Sequence, residues 1–280
     1  MTLPDFLVIG AMRSGTTWLD GVLRSHPDIY LPERRKEVNF FHKFYDRGID
    51  WYQKFFPSPG QVSQYSRIGE VTPAYLYSPE APIRIKECIP HCQLIIILRN
   101  PADRAYSHYG FKVKNLAEPR SFQEVLCQDS ALFTRGLYGQ HIKNYLQYFS
   151  LDNFLILLYE DVRKNPDHAL SKITNFLSVK PNLFDQGMIE RKANTSGRPH
   201  LAKARVLAGK FRDFLRKKDL DWVWNVAKSS GMEQIFFTKS QALPPIEPDV
   251  RAELLTKYES DIAALEEVIG IDLDIWRKLC

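Results

Sequence analysis

Two glycines, Gly10 and Gly15, bracket Ala11-Met12-Arg13-Ser14, and Thr16-Thr17-Trp18 follow directly. The apolar run Phe6-Leu7-Val8-Ile9 before them predicts a buried strand, and Leu19, Val22 and Leu23 after them recur at helical spacing. A strand that turns through glycines into a helix start is an anion site, because free backbone N–H groups and the positive end of the helix dipole face the turn. The Arg13 guanidinium and the hydroxyls of Ser14, Thr16 and Thr17 add donors. The Gly10-to-Gly15 spacing is that of a nucleotide P-loop, yet Thr16 stands where that loop carries lysine, and Arg13 lies inside the loop instead. This chemistry suits a phosphate-like anion other than a nucleotide γ-phosphate.

A second donor group lies downstream. Gln93-Leu-Ile-Ile-Ile-Leu98 reads as a parallel strand buried on both faces, and Arg99 follows at its carboxyl end, where open α/β sheets bind ligands. Pro101 opens the next helix, and Ser107 lies inside it. A guanidinium fork and a hydroxyl converging on one phosphate make chemical sense. Arg99 could instead pair with Asp103 or Glu70. Nearer the start, Glu37 sits beside Lys36 ahead of Phe40-Phe41, as either a surface charge or a general base.

These stretches together resemble the superfamily of sulfotransferases that use 3′-phosphoadenosine 5′-phosphosulfate (PAPS). Gly10 to Trp18 is similar to its 5′-phosphosulfate loop, and Leu98-Arg99-Asn-Pro-Ala-Asp-Arg104-Ala-Tyr-Ser107 to its 3′-phosphate segment. Lys36 to Phe41 and Gly69 to Tyr75 resemble segments of the heparan sulfate branch. The resemblance runs in order from about Asp5 to Arg198. It implies cofactor contacts from Arg13, Ser14, Gly15, Thr16, Thr17, Trp18, Arg99, Ser107 and Tyr138. Gly197 and Arg198 resemble a loop that closes over the cofactor, with Ser196 where that loop has lysine. Glu37 matches a general base, with Arg13 supplying charge to the reaction, and Lys36 and Glu70 match acceptor contacts. Val71 departs from the branch, where lysine commonly follows the glutamate.

The elements that must hold these residues read as an α/β three-layer sandwich with a central parallel sheet, one domain over 1–280. Ser121 with Glu124 forms a capping box, Asn153 to Leu158 is another buried strand, and Pro248 to Ile269 is a long amphipathic helix. Residues from about 200 to 243 are basic and aromatic, and lie where family members place an acceptor-specific lid. Trp222 and Trp224 there either stack on an acceptor or fill core.

Composition narrows the partners. The formal charge of +5 suits an anionic cofactor without demanding nucleic acid. No apolar run approaches the roughly 20 residues of a membrane span, and the first residues lack a basic leader. A cytoplasmic chain without a membrane partner is therefore expected. The cysteines form no disulfide framework, and Cys88-Ile-Pro-His91-Cys92 lacks a second ligand pair, so no metal is expected. The resulting expectation is sulfuryl transfer from PAPS to a hydroxyl or amine of a small-molecule or saccharide acceptor. A small metabolite is preferred and a glycan is the alternative. The rival classes are a P-loop kinase and a non-catalytic polyanion-binding module.

Overall fold

The computed structural model describes residues 2–190, 197–198, 202–229 and 241–278; side chains are described for 2–190, 206–226 and 243–278. Five parallel strands form the central sheet: β1 (Phe6–Gly10), β2 (Ile29–Tyr30), β3 (Arg67–Val71), β4 (Gln93–Leu98) and β5 (Phe154–Leu158). Their order is β2-β3-β1-β4-β5. The chain leaves central β1, builds β2 and β3 on one side, then crosses to build β4 and β5 on the other.

β1, β4 and β5 are almost wholly apolar because both faces of the sheet are covered, while β3 carries Arg67 and the buried Glu70. With a side-chain period of two, Leu7, Ile9, Leu94, Ile96 and Leu98 enter one core. Phe6, Val8, Ile95 and Ile97 enter the other. Each such buried aliphatic or aromatic side chain contributes about 1.5–3 kcal/mol. The register pairs Phe6 with Gly69. A Cβ on Gly69 would lie 2.2 Å from the Phe6 ring, so the ring occupies the space that only glycine leaves.

Helices cover both faces and complete the three layers. Helix α1 (Thr16–Ser25) lies on the Phe6 side, and α2 (Ala81–Cys88), α3 (Pro101–Leu116) and α4 (Tyr138–Tyr145) lie on the Leu7 side. Helix α5 (Pro166–Leu177) joins α1. Beyond it come α6 (Ala202–Lys217), α7 (Asp221–Ser229) and α8 (Pro248–Ile269), the last packing on α4. The α8 bounds and the Ser121–Glu124 capping box agree with the sequence reading. Among the described residues no helix is long and apolar enough to cross a membrane.

Local chemistry sets the ends that matter. Asn100 caps α3: its Oδ1 accepts from the backbone N–H groups of Ala102 at 3.0 Å and Asp103 at 3.1 Å. Pro101 fills the first helical position, where no N–H is needed. Arg99 is thereby held at the junction between the carboxyl end of β4 and the start of α3.

Candidate active site

The loop after β1 bends through two left-handed residues, Arg13 (φ 73°) and Gly15 (φ 92°). Glycine adopts this conformation freely, whereas it costs an arginine about 1–2 kcal/mol. Of the non-glycine residues with positive φ among the described residues, Arg13 is the one that lines the cavity between this loop and α3. Gly15 also leaves room for Tyr159, whose ring carbons would lie 3.2–3.3 Å from an added Cβ.

Arg13 reaches from this loop to α3. Its Nε donates to Ser107 Oγ at 3.3 Å, and its guanidinium stacks over Phe111 at 5.4 Å. Arg99 Nη1 donates to the Arg13 carbonyl at 3.3 Å, and its guanidinium lies over the Tyr159 ring at 4.8 Å. On the opposite side Lys36 Nζ donates to Thr17 Oγ1 at 3.1 Å. Except for Lys36, which touches it only through Thr17, these groups wall a cavity of about 280 Å³ lined also by Gly15, Thr16, Trp18 and Glu37. That volume is near the lower end for a small-molecule site.

The field in the cavity is positive. Burial, then the neighbouring Arg99, pushes the Arg13 pKa down from its ordinary value, with Tyr159 opposing and Arg104 adding to the fall. Lys36 is also pushed down, mainly by burial, while Asp20 and Glu37 hold its charge. An arginine keeps its proton at neutral pH whatever its surroundings. Repelling guanidiniums at the mouth of a glycine loop are relieved by an anion between them.

Sequence reasoning missed several cavity residues. His108 and Phe111 share a face of α3 with Arg104 and Ser107, being spaced by three or four residues, so the helical period was an available signal. Tyr159 follows β5 directly, at the strand end where ligands bind. Burial and the nearby Arg104, Arg135, Arg13 and Lys112 push the His108 pKa down to about 3, so its ring is neutral near pH 7. Arg104 is fully buried and donates to the Leu132 carbonyl.

Other expected residues lie elsewhere. Glu70 does not line the cavity: it is fully buried and accepts from the Tyr52 hydroxyl at 2.5 Å, the Tyr75 hydroxyl at 2.8 Å and the Thr72 hydroxyl. It is a core carboxylate with its lone pairs satisfied, with no exposed oxygen for an acceptor. Tyr138 is buried beneath the loop, its hydroxyl facing that of Ser14 without a well-formed hydrogen bond, and is likewise outside the cavity. Ser14, although part of the loop, is fully buried, and its hydroxyl turns to Tyr138 rather than to the cavity. Trp222 is 63% exposed and Trp224 half-buried; neither lines the cavity, and Trp222 does not fill core. Gly197 and Arg198 pair as a short strand with Gln241 and Ala242, while their side-chain placement, and Ser196, lie outside the described residues. Arg99 pairs with neither suggested carboxylate, since Asp103 is bound to Arg251 at 3.0 Å.

The cavity therefore gathers a glycine loop, two guanidiniums, hydroxyls and one carboxylate at the carboxyl ends of β1, β4 and β5, with the Lys36 ammonium bonded to one of those hydroxyls from outside the lining. The sulfotransferase domain family matches residues 3–209, the span that builds this arrangement. The chain belongs to the sulfotransferase family. This sulfotransferase is 33% identical over 215 residues to heparan sulfate glucosamine 3-O-sulfotransferase 6 of Mus musculus, covering 70% of this chain and 61% of that protein. It is 35% identical over 199 residues to bifunctional heparan sulfate N-deacetylase/N-sulfotransferase 3 of Homo sapiens, covering 64% of this chain and 23% of that protein. The match thus spans less than two thirds of either relative. A sulfotransferase from Alicyclobacillus acidocaldarius shares the fold, with a TM-score of 0.70 at 24% identity over 99% of this chain and 100% of that one.

Proposed function

We propose that this sulfotransferase moves a sulfuryl group from PAPS to an acceptor hydroxyl or amine and releases adenosine 3′,5′-bisphosphate. The observation that carries the reading is the Arg13–Ser107 contact, which joins the glycine loop to the Arg99 segment in one cavity. One ligand with anionic groups at both places fits that junction. The loop amides, Arg13, Thr16 and Thr17 would hold the phosphosulfate, with Trp18 beside them. Arg99 and Ser107, joined by Gly197 and Arg198, would hold the 3′-phosphate. Tyr138 and Ser14 support the loop from below.

Glu37 would take the proton from the acceptor. The acceptor oxygen forms its bond to sulfur as the bond from sulfur to the phosphate oxygen breaks, and the electron pair leaves with that phosphate. Fixed donors at the leaving oxygen are the larger part of such catalysis, and Arg13 would give them, while Lys36, bonded to Thr17, would meet the acceptor. This charge comes from side chains, and the scheme calls on no metal.

We assign the acceptor to a small metabolite. The small cavity and Val71, buried where the heparan sulfate branch commonly has lysine, support this. A saccharide acceptor is the second reading, supported by the heparan sulfate names of the relatives. The deciding experiment is calorimetry with adenosine 3′,5′-bisphosphate against ADP plus Mg²⁺. Preference for the bisphosphate supports the assignment, and a screen with labelled PAPS then separates metabolite from glycan. Preference for ADP would overturn the assignment of Arg99 and Ser107 to a 3′-phosphate.

A further inference from the structure

Helix α6 turns a stripe of large apolar side chains outward. Leu207, Phe211 and Phe214 recur at i, i+4 and i+7 and are 70%, 52% and 55% exposed, while Leu215 turns inward. Leu220 and Trp222, at the corner into α7, extend the exposed surface. A contiguous apolar surface of this kind on a folded chain marks an interaction site.

The charges around the stripe decide what it meets. Lys210 lies three residues after Leu207 and four before Phe214, and Lys217 and Lys218 follow; all three are exposed. Among the described residues none of these ammonium groups has an ion-pair partner. The nearby acids are already engaged. Asp213 pairs with Arg212, and Asp219 and Asp221 pair with Arg34, Arg35 and Arg47. What remains is an apolar stripe edged by uncompensated positive charge.

We propose that the α6–α7 face docks on an anionic lipid surface, with the apolar stripe in the interface and the lysines at the head-group level. A helix that lies in the plane of a membrane needs an apolar face and basic flanks, not a spanning run. The absence of such a run, from which no membrane partner was expected, does not bear on this mode. Long lysine side chains reach up to phosphates while their stems cover apolar surface. A second copy of the chain fits less well, since pairing two such faces sets lysines against lysines. The proposal is independent of the cofactor assignment, because none of these residues lines the cavity.

The test is co-sedimentation of the full chain with vesicles of phosphatidylcholine alone and of phosphatidylcholine with phosphatidylglycerol. Binding is expected to the anionic vesicles, to weaken with salt, and to fall on the order of tenfold or more in a Phe211→Ser, Phe214→Ser variant. Tryptophan emission should shift to the blue on the same vesicles, and Trp222→Phe should remove that shift. An unchanged thermal midpoint would show that the variant folds; if it does not, Lys210→Glu with Lys217→Glu carries the same expectation through charge. No binding to either vesicle, equal binding to both, or equal binding by the variants would overturn the proposal. So would concentration-dependent self-association abolished by the serine variant without lipid binding.

Discussion

Arg35 and Asp221 form a buried two-point ion pair: Nη2 donates to Oδ2 at 2.6 Å and Nε to Oδ1 at 2.9 Å, across 186 residues of chain. Arg35 directly precedes Lys36 and Glu37, and Asp221 opens α7. Around the pair, Arg47 donates to Asp219 Oδ2 at 2.5 Å, Trp51 Nε1 to the same oxygen at 3.0 Å, and Asn225 to the Arg34 carbonyl at 3.3 Å. Arg35 also stacks over Phe44, Trp51 and Phe55 at 5.4–5.7 Å. The corner between α6 and α7 is thus bolted to the segment that presents the candidate base.

Removing one member of that pair leaves a buried charge without its partner. Asp221→Ala is expected to cost about 3–5 kcal/mol. For a chain of this size the thermal midpoint should fall by at least about 6 °C. Turnover should drop further than bisphosphate affinity, because Arg13 and Arg99 are anchored elsewhere. Calorimetry and steady-state kinetics on the folded variant at low temperature read the two separately.

Glu37→Gln keeps the shape of the side chain and removes its basicity. Turnover should fall by about 10²–10⁴, the usual worth of a general base. Affinity for adenosine 3′,5′-bisphosphate should stay within a factor of about two, well under the 1.4 kcal/mol of a tenfold change. Wild-type turnover in this variant would remove Glu37 from the base role.

Arg99→Ala tests the 3′-phosphate assignment. Hydrogen bonds to a charged group are worth about 1.5–3 kcal/mol, so bisphosphate affinity should drop roughly 10- to 150-fold. Adenosine 5′-phosphosulfate, which lacks the 3′-phosphate, should bind the variant and the parent alike. An equal loss for both ligands would place Arg99 on the phosphosulfate instead.

His108 gives the protein a pH signature. Its folded pKa, about 3, lies below the ordinary value of 6.5. Between those values the unfolded chain holds a proton that the folded chain does not. Stability therefore falls as pH is lowered from 6.5 toward 3, by up to about 1.4 kcal/mol per unit from this group. Midpoints measured from pH 4 to 7 should fall less steeply for His108→Gln than for the parent. Identical slopes would show that the carboxylates alone set the acid limb.

The features legible in the sequence are those written in a few neighbouring residues. The strand runs Phe6–Ile9 and Gln93–Leu98 and the Asn100-Pro101 helix start are of this kind, because burial on both sheet faces and capping act locally. Glu70 misled because its motif lies on the chain while its environment does not: Tyr52 arrives from a separate helix to close over it. Tyr138 sits in a stretch resembling a nucleotide contact, yet packing beneath the loop places it against Ser14. The Arg35–Asp221 pair joins opposite ends of the chain, and no spacing rule reaches so far. Trp222 departs from the core-filling reading because α7 is held through its polar start, which leaves the tryptophan outside.

The strand order carries one more implication. Glu37 and Lys36 sit in the connection between β2 and β3, whereas Arg99, Ser107 and Tyr159 follow β4 and β5 across the central strand. On the proposed roles, the stretch that would meet the nucleophile and the stretches that would hold the 3′-phosphate are separate pieces of chain on either side of the glycine loop. Replacing the stretch between β2 and β3 could change what is modified while leaving the donor grip in place. On that proposal the molecule divides into one standing fitting for the donor and one interchangeable part for whatever receives the sulfate.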